Sequence, residues 1–213
     1  MQYRLKVFHK KAEVGVPELA KFYSENNSDF NRERNPFDFI DAINSKSIFS
    51  IVDNDGLPQG VSISLRYHED KIVEFGAVRV LLNGFGLQTI LHDMQILYCY
   101  LYKIGEYIFA ITDVKNEGSK KSLQRSGLEY FSPDDEFLKI IDYREKHNNN
   151  KVYLEIDNRK FDAIARDAFC RLLKLDTDGY IEKNNKILKI FIDDPIFRLP
   201  TLRDRAIKNF SCI

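Results

Sequence analysis

The chain of 213 residues has no tryptophan, two methionines and three cysteines. Cys99, Cys170 and Cys212 stand far apart, without a Cys-x-x-Cys pair or a neighbouring pair of histidines. Neither a zinc site nor a disulfide framework is therefore expected. A reducing cytoplasm is the expected compartment, because disulfides are rare there.

The chain also lacks an excess of either charge and a long hydrophobic run. Lysine plus arginine number 32, as do aspartate plus glutamate, so no overall field favours nucleic acid or an anionic membrane. No apolar segment approaches the length that spans a bilayer, and no charged-then-apolar leader opens the chain. We expect a soluble protein whose partners include neither nucleic acid nor a membrane.

A composition of 44% hydrophobic and 30% charged residues is typical of a folded globular chain. Polar turn formers at 146–150 predict a boundary between a main domain, residues 1–145, and a C-terminal extension, residues 151–213. Within the extension, strands are predicted over 151–156 and 187–192, on either side of a helix that ends near Asp176. Its possible roles are covering the substrate side, pairing subunits in a homodimer, or completing a sheet.

The main domain is predicted to alternate strands and helices. Apolar alternation indicates strands over 3–9, 47–53 and 60–67, and helices are predicted over 16–23 and 36–43. A further strand over 74–81 passes through a glycine loop into a long, apolar-striped helix, and an apolar strand over 107–114 follows. This order implies an α/β protein whose mixed sheet contains one parallel crossover among antiparallel neighbours.

Two strand-to-helix junctions carry the clearest functional signal. At the first, Asn83-Gly-Phe-Gly-Leu-Gln88 precedes the long helix. Its two glycines allow a tight turn and a close approach of the backbone to a ligand, and the helix starts with unpaired N–H groups. Such a place binds phosphate. At the second junction, the strand over 107–114 is followed by Asn116-Glu-Gly-Ser119.

The segment Asn83-Gly-Phe-Gly-Leu-Gln-Thr-Ile-Leu91 resembles the Arg-Gly-x-Gly-[Leu/Ile]-[Gly/Gln]-x-x-Leu pyrophosphate loop of the GNAT superfamily of acyl-CoA-dependent N-acyltransferases. Residues 116–130 resemble that family's second signature, Asn-x-x-[Ala/Ser], then a leucine or tyrosine, then a closing Gly-Phe. The resemblance covers residues 1–145 and is strongest over 74–131. It implies a GNAT-like fold with a central, mostly antiparallel sheet, a parallel βαβ crossover and here a C-terminal α/β extension.

The resemblance also implies an activity, the transfer of acetyl from acetyl-CoA to a primary amine of a small molecule or peptide. The amine would attack the thioester directly in a ternary complex that needs no metal. Exposed amides of the central strand would hold the pantetheine and polarise the thioester carbonyl. The residues implied in binding the cosubstrate are Val78, Arg79 and Val80 on the strand, Asn83, Gly84, Phe85, Gly86, Leu87 and Gln88 in the loop, and Asn116 and Ser119.

The chain departs from the family pattern at two positions. Asn83 stands where arginine is commonest, which removes a charge-assisted contact of about 1.5–3 kcal/mol. Lysines within 115–121 could restore some charge near the nucleotide, or could simply be a solvated face. Leu123 stands where the family often has a tyrosine, a proposed acid for the leaving thiolate. Tyr130 or a water would take over that task.

Glu74 is the candidate general base. Strand alternation places it on the same face as Ile72 and Val78, where partial burial would let it accept a proton near neutral pH. An ion pair with Arg66 or Arg79 is the structural alternative.

Three further residues are candidates for a role in the site. His68 lies in the turn before the strand and could act through water or simply be exposed, and His92 is a weaker candidate in the long helix. Asn116 can cap its helix through its side-chain oxygen as well as bond the pantetheine.

Three classes of function remain open from the sequence. The first is the N-acetyltransferase described above. The second is a GNAT-fold binding or regulatory protein of weak or no activity, which the missing arginine and tyrosine favour. The third is a protein or tRNA acyltransferase with a macromolecular partner, which the neutral net charge disfavours for tRNA.

Overall fold

The structure, a computed structural model, describes residues 2–7, 16–25, 48–69, 71–141 and 150–210. The predicted helix over 36–43 and most of the predicted boundary at 146–150 lie outside these residues. The strands are β1 (Gln2–Val7), β2 (Ile48–Val52), β3 (Pro58–Tyr67), β4 (Ile72–Val80), β5 (Tyr107–Asp113), β6 (Glu129–Phe131), β7 (Lys151–Glu155), β8 (Tyr180–Lys183) and β9 (Lys186–Asp193). The helices are α1 (Val16–Glu25), α2 (Leu87–Tyr102), α3 (Glu117–Arg125), α4 (Asp135–Ile140), α5 (Phe161–Asp178), α6 (Pro195–Arg198) and α7 (Pro200–Phe210).

The described strands form one sheet in the order β6-β7-β5-β4-β3-β2-β1-β9-β8. Strands β1 to β4 pair antiparallel in sequence order, and β4 pairs parallel with β5 through the crossover helix α2. The predicted mixed sheet with a parallel crossover is therefore confirmed. A second parallel pair, between β1 and β9, was not predicted, because the two strands lie at opposite ends of the chain.

Residues 151–193 take part in this sheet. Strand β7 lies between β5 and β6, and β9 extends the sheet beyond β1, with β8 at the outer edge. Of the three roles considered for the extension, completing the sheet is the one that the strand pairing shows. Residues 195–210, whose sequence has no clear periodicity, contain the helices α6 and α7.

Helices cover both faces of the sheet. On the face that we name the α2 face, α2 and α5 pack on a core that includes Val73 and Phe75 of β4. On the opposite face, named the α1 face, Leu19 and Phe22 of α1 pack on strands β2 and β3. A separate aromatic cluster on the α1 face lies under α4. None of the described helices is long and apolar enough to cross a membrane.

A buried carboxylate joins three helices on the α2 face. Asp93 of α2 is 2% exposed. Arg171 of α5 donates to it through Nε and Nη2, both at 2.8 Å, and Ser126 Oγ, just after α3, donates at 3.0 Å. Burial raises the pKa of Asp93, and the bonds from Arg171 and Ser126 oppose that rise. The pair holds the middle of α5 beside the first half of α2.

The cysteines differ from the prediction. Cys170 is disulfide-bonded, although the sequence suggested no disulfide framework. The spacing of distant cysteines along a chain does not reveal which of them meet. Cys99 is free and buried, and burial raises the pKa of its thiol to about 12, which makes it unreactive. The cysteine argument for a reducing compartment therefore no longer holds.

Candidate functional site

Strands β4 and β5 pair over a short stretch and then separate. Residues 72–74 of β4 pair with residues 107–109 of β5. Beyond that point β4 pairs only with β3, and β5 pairs only with β7, which lies on its opposite edge. Within the described part of the chain, the β5-facing edge of residues 76–80 therefore has backbone groups without a strand partner. An extended ligand can use such groups as a neighbouring strand would.

A β-bulge in β4 decides which side chains face which side of this slot. The register with β3 shifts by one residue between the pairs 61–79 and 63–76, so β4 has one extra residue there. Val78 and Val80 consequently pack on the α2 face. Arg79 lies on the α1 face, where its Nη1 donates to the Tyr23 carbonyl at 3.1 Å.

Glu74 lies before the bulge and on the α1 face. The residue is 6% exposed, and its carboxylate accepts a hydrogen bond from Tyr67 Oη at 2.7 Å. The prediction that it shares a face with Val78 is wrong, because strict alternation does not hold across a bulge. Among the described residues Glu74 forms no ion pair with Arg66 or Arg79, so the predicted structural alternative is not found there.

An aromatic cluster lies beside Glu74 on the α1 face. The rings come from β3, β5, β6, β7 and α4, and are those of Tyr67, Tyr107, Phe109, Phe131, Phe137 and Tyr153. Burial raises the pKa of Tyr153, and the nearby negative charge of Glu74 adds to that rise. The Tyr107 hydroxyl donates to Glu155. Glu74 thus lies in a mostly apolar wall at the point where β4 and β5 separate.

The loop between β4 and α2 is open to a ligand. Gly84 and Gly86 have φ of +90° and +74°, and a Cβ at either position would meet no atom within 4 Å. Gly86 is the N-cap of α2, and no side chain caps that helix. The first N–H groups of α2 are therefore available to an anion. The side chain of Leu87 is buried in the core.

No protein-family model and no curated protein matches this sequence. An N-acetyltransferase from Staphylococcus aureus Mu50 matches in structure with a TM-score of 0.57 and 14% identity, over 75% of this chain and 99% of its own. A chain of the NatC complex bound to Gag peptide and CoA matches with a TM-score of 0.56 and 15% identity, over 73% of this chain and 98% of its own. The ribosomal-protein-S5-alanine acetyltransferase of Vibrio fischeri matches with a TM-score of 0.55 and 14% identity, over 76% of this chain and 96% of its own.

The chain has the GNAT fold. The two junctions predicted this fold from the sequence, and the structural matches confirm it. Because these proteins share so few residues with the chain, the match concerns the backbone and not the chemistry of the site.

The second junction of the GNAT fold begins α3. The Asn116 side chain accepts a hydrogen bond from the Ser119 N–H at 3.1 Å, so its capping role is observed. Lys120 Nζ donates to the Val114 carbonyl at 2.6 Å and forms an ion pair with Glu117. Its charge is therefore already paired, and it is one of the lysines within 115–121 that could have added positive charge near the nucleotide. In the described residues, no group of three His, Cys, Asp or Glu side chains is arranged to hold a metal.

The geometry is against the predicted role of Tyr130. This residue is 52% exposed and lies on β6, three strands away from β4 in the sheet. Three strand spacings amount to roughly 14 Å. Tyr130 also pairs with Leu154 of the α2-face core, whereas Glu74 lies on the α1 face. The structure therefore does not bring the two predicted catalytic side chains together.

Tyr67 and Tyr153 are site residues that the sequence did not reveal. Tyr67 could have been found, because the short turn at 68–71 makes it a diagonal cross-strand neighbour of Glu74. Tyr153 follows a long intervening segment, and nothing in its local pattern indicates that β7 joins β5.

His92 is a core residue. It is 1% exposed and stacks on Phe75 with 6.3 Å between ring centroids. Its Nδ1 lies 3.1 Å from Gln95 Oε1, and Gln95 Nε2 donates to Ser64 Oγ at 2.9 Å. Because the glutamine oxygen accepts, Nδ1 carries the proton. Burial lowers the pKa of His92 to about 4, so it is neutral at pH 7.

The His92 pKa predicts how stability depends on pH. Between the ordinary value of 6.5 and the folded value of about 4, the unfolded chain binds a proton that the folded protein does not. Protonation of His92 in the unfolded chain should therefore lower the free energy of unfolding by about 2 kcal/mol when the pH is reduced from 7.5 to 5. Urea unfolding of the wild type and of His92→Gln at both pH values measures this. An equal fall in both proteins would contradict the assignment.

Proposed function

We propose that this protein is an acyl-CoA-dependent N-acyltransferase that transfers acetyl from acetyl-CoA to a primary amine. The observation that carries the proposal is the slot between β4 and β5, which leads to the open glycine loop at the start of α2. A slot lined by backbone groups suits the amides of a pantetheine arm, and a helix start with available N–H groups suits a pyrophosphate.

Acetyl-CoA would place its pantetheine arm in the slot between β4 and β5 and its pyrophosphate on the glycine loop. Backbone groups of Val78, Arg79 and Val80 that do not pair with β3 would hold the pantetheine, and one N–H would polarise the thioester carbonyl. The pyrophosphate would lie on the N–H groups from Gly84 to Gln88. The side chain of Asn116 caps α3. Its main role would be to fix the position of that helix, more than to bond the pantetheine directly.

The acceptor amine would approach from the α1 face, where Glu74 is located. Its nitrogen attacks the thioester carbon to form a C–N bond, and the C–S bond then breaks to release the thiolate. Glu74 takes the proton that the nitrogen loses, and the Tyr67 hydroxyl holds the carboxylate in place. A thiolate leaves readily, so positioning of the two reactants supplies much of the rate.

The class of acceptor is supported by several structural neighbours. One was crystallised with a peptide and CoA, one is named for acetylation of an alanine in a ribosomal protein, and SpeG of Vibrio cholerae is named for spermidine and spermine. Amines of peptides and of small molecules are thus both represented. The proposal covers either type.

A GNAT-fold binding or regulatory protein with weak or no activity is the second candidate. Leu123 is buried in the core at the position where the family often has a tyrosine, and Tyr130 lies on β6, three strands away from β4. This candidate shares the CoA site and differs only in turnover.

Gly84→Asp tests the pyrophosphate site. A carboxylate would stand where the phosphate charge is expected, so acetyl-CoA affinity should fall by about 30-fold or more. Isothermal titration calorimetry measures it. Gly56→Asp is the matched control, because Gly56 has φ of +81° and equally open surroundings but lies in the β2–β3 turn. Unchanged affinity in Gly84→Asp, or an equal loss in both variants, would contradict the site.

Glu74→Gln tests the base. If Glu74 accepts the amine proton, turnover should fall by about 10²-fold or more while the Kd for acetyl-CoA changes little. Steady-state kinetics and calorimetry on the same preparation separate the two effects. Tyr67→Phe keeps the carboxylate and should lose less activity. A Glu74→Gln protein with normal turnover and a lower melting temperature would identify Glu74 as purely structural.

A further inference from the structure

A cleft of about 280 Å³ adjoins the glycine loop on the α2 face. Phe85 and Gly86 of the loop form one part of it. Apolar side chains of α2, α5 and β8, among them Ile90, Leu172 and Ile181, form much of the rest. The loop and the cleft are therefore continuous, and a ligand that binds the first can extend into the second.

Two arginines make this apolar cleft basic. Arg125 lies in the last turn of α3, is exposed, and has no hydrogen bond or ion pair with any residue that the structure describes. Arg171 of α5 uses Nε and Nη2 for Asp93, and its side chain remains 41% exposed. The Nη1 edge of that guanidinium is still available. Asp93 is the carboxylate of the cleft, so the two arginines leave a net positive charge there.

We propose that this cleft binds the adenosine 3′-phosphate end of CoA and that Arg125 contacts the 3′-phosphate. The proposal rests on the proposed function. In CoA the adenosine is attached directly to the pyrophosphate, so it must lie next to the glycine loop, where Phe85 and Gly86 open into the cleft. The apolar wall suits a flat purine, and a guanidinium suits a phosphate.

The volume and the charge both fit this occupant. Pockets for complete drug-sized ligands measure about 300–1,000 Å³, so a cleft of about 280 Å³ suits the nucleoside part of a larger ligand. The loop itself has Asn83 in place of a cation. Arg125 and Arg171 would supply the positive charge from α3 and α5 instead.

The C-terminal extension acquires a second role under this proposal. Helix α5 and strand β8 both belong to residues 151–213, and they form one wall of the cleft. The Asp93–Arg171 pair fixes α5 beside the first half of α2 and so also fixes the shape of the site. The extension would then serve cosubstrate binding as well as completing the sheet.

Calorimetry with CoA and with 3′-dephospho-CoA tests the contact, because the two ligands differ only in the 3′-phosphate. The wild type should bind CoA about tenfold more tightly or better. Arg125→Ala should lose that preference while its affinity for 3′-dephospho-CoA stays within about twofold of the wild type. Arg166→Ala is the matched control, since Arg166 is an exposed arginine of α5 outside the cleft.

The outcomes distinguish this proposal from the proposed function. If the wild type binds both ligands equally, or if Arg125→Ala keeps the full preference, the cleft is not the 3′-phosphate site, although the proposed function stands. If the wild type binds neither ligand, the proposed function and this inference both fail. A preference that is lost in Arg166→Ala as well would also overturn the assignment to Arg125.

Discussion

The separation of β4 from β5 is the constraint on which the site depends. A strand in the middle of a sheet normally pairs on both sides, and leaving one edge unpaired costs hydrogen bonds unless water or a ligand replaces them. The two strands can part here because each is paired along its other edge, β4 with β3 and β5 with β7. The slot is thus held by the strands around it and does not need a ligand to form.

The bulge and the C-terminal extension give this slot two different sides. One extra residue in β4 turns Val78 and Val80 toward the α2 face and leaves Glu74 on the α1 face. The α2 face has the glycine loop and, held by the Asp93–Arg171 pair, the middle of α5. The α1 face has the carboxylate and the aromatic wall. Cosubstrate and acceptor can therefore meet at the slot from opposite sides.

Local features were predictable from the sequence, and distant pairings were not. The glycine loop, the apolar stripe of α2 and the Asn116 cap depend on residues within a few positions of each other. Gly76 was an available sign of the bulge, because an isolated glycine in a strand often marks one. The β1–β9 pair and the Asp93–Arg171 bond join segments far apart in the chain, and no local pattern specifies such partners.

A crystal structure of the protein with acetyl-CoA tests the central claim most directly. The account predicts the pantetheine arm between β4 and β5, with the thioester carbonyl accepting a hydrogen bond from an N–H within residues 78–80 and the pyrophosphate on the loop at Gly84 and Gly86. Acetyl-CoA bound elsewhere, or a slot that stays empty at saturating acetyl-CoA, would contradict it.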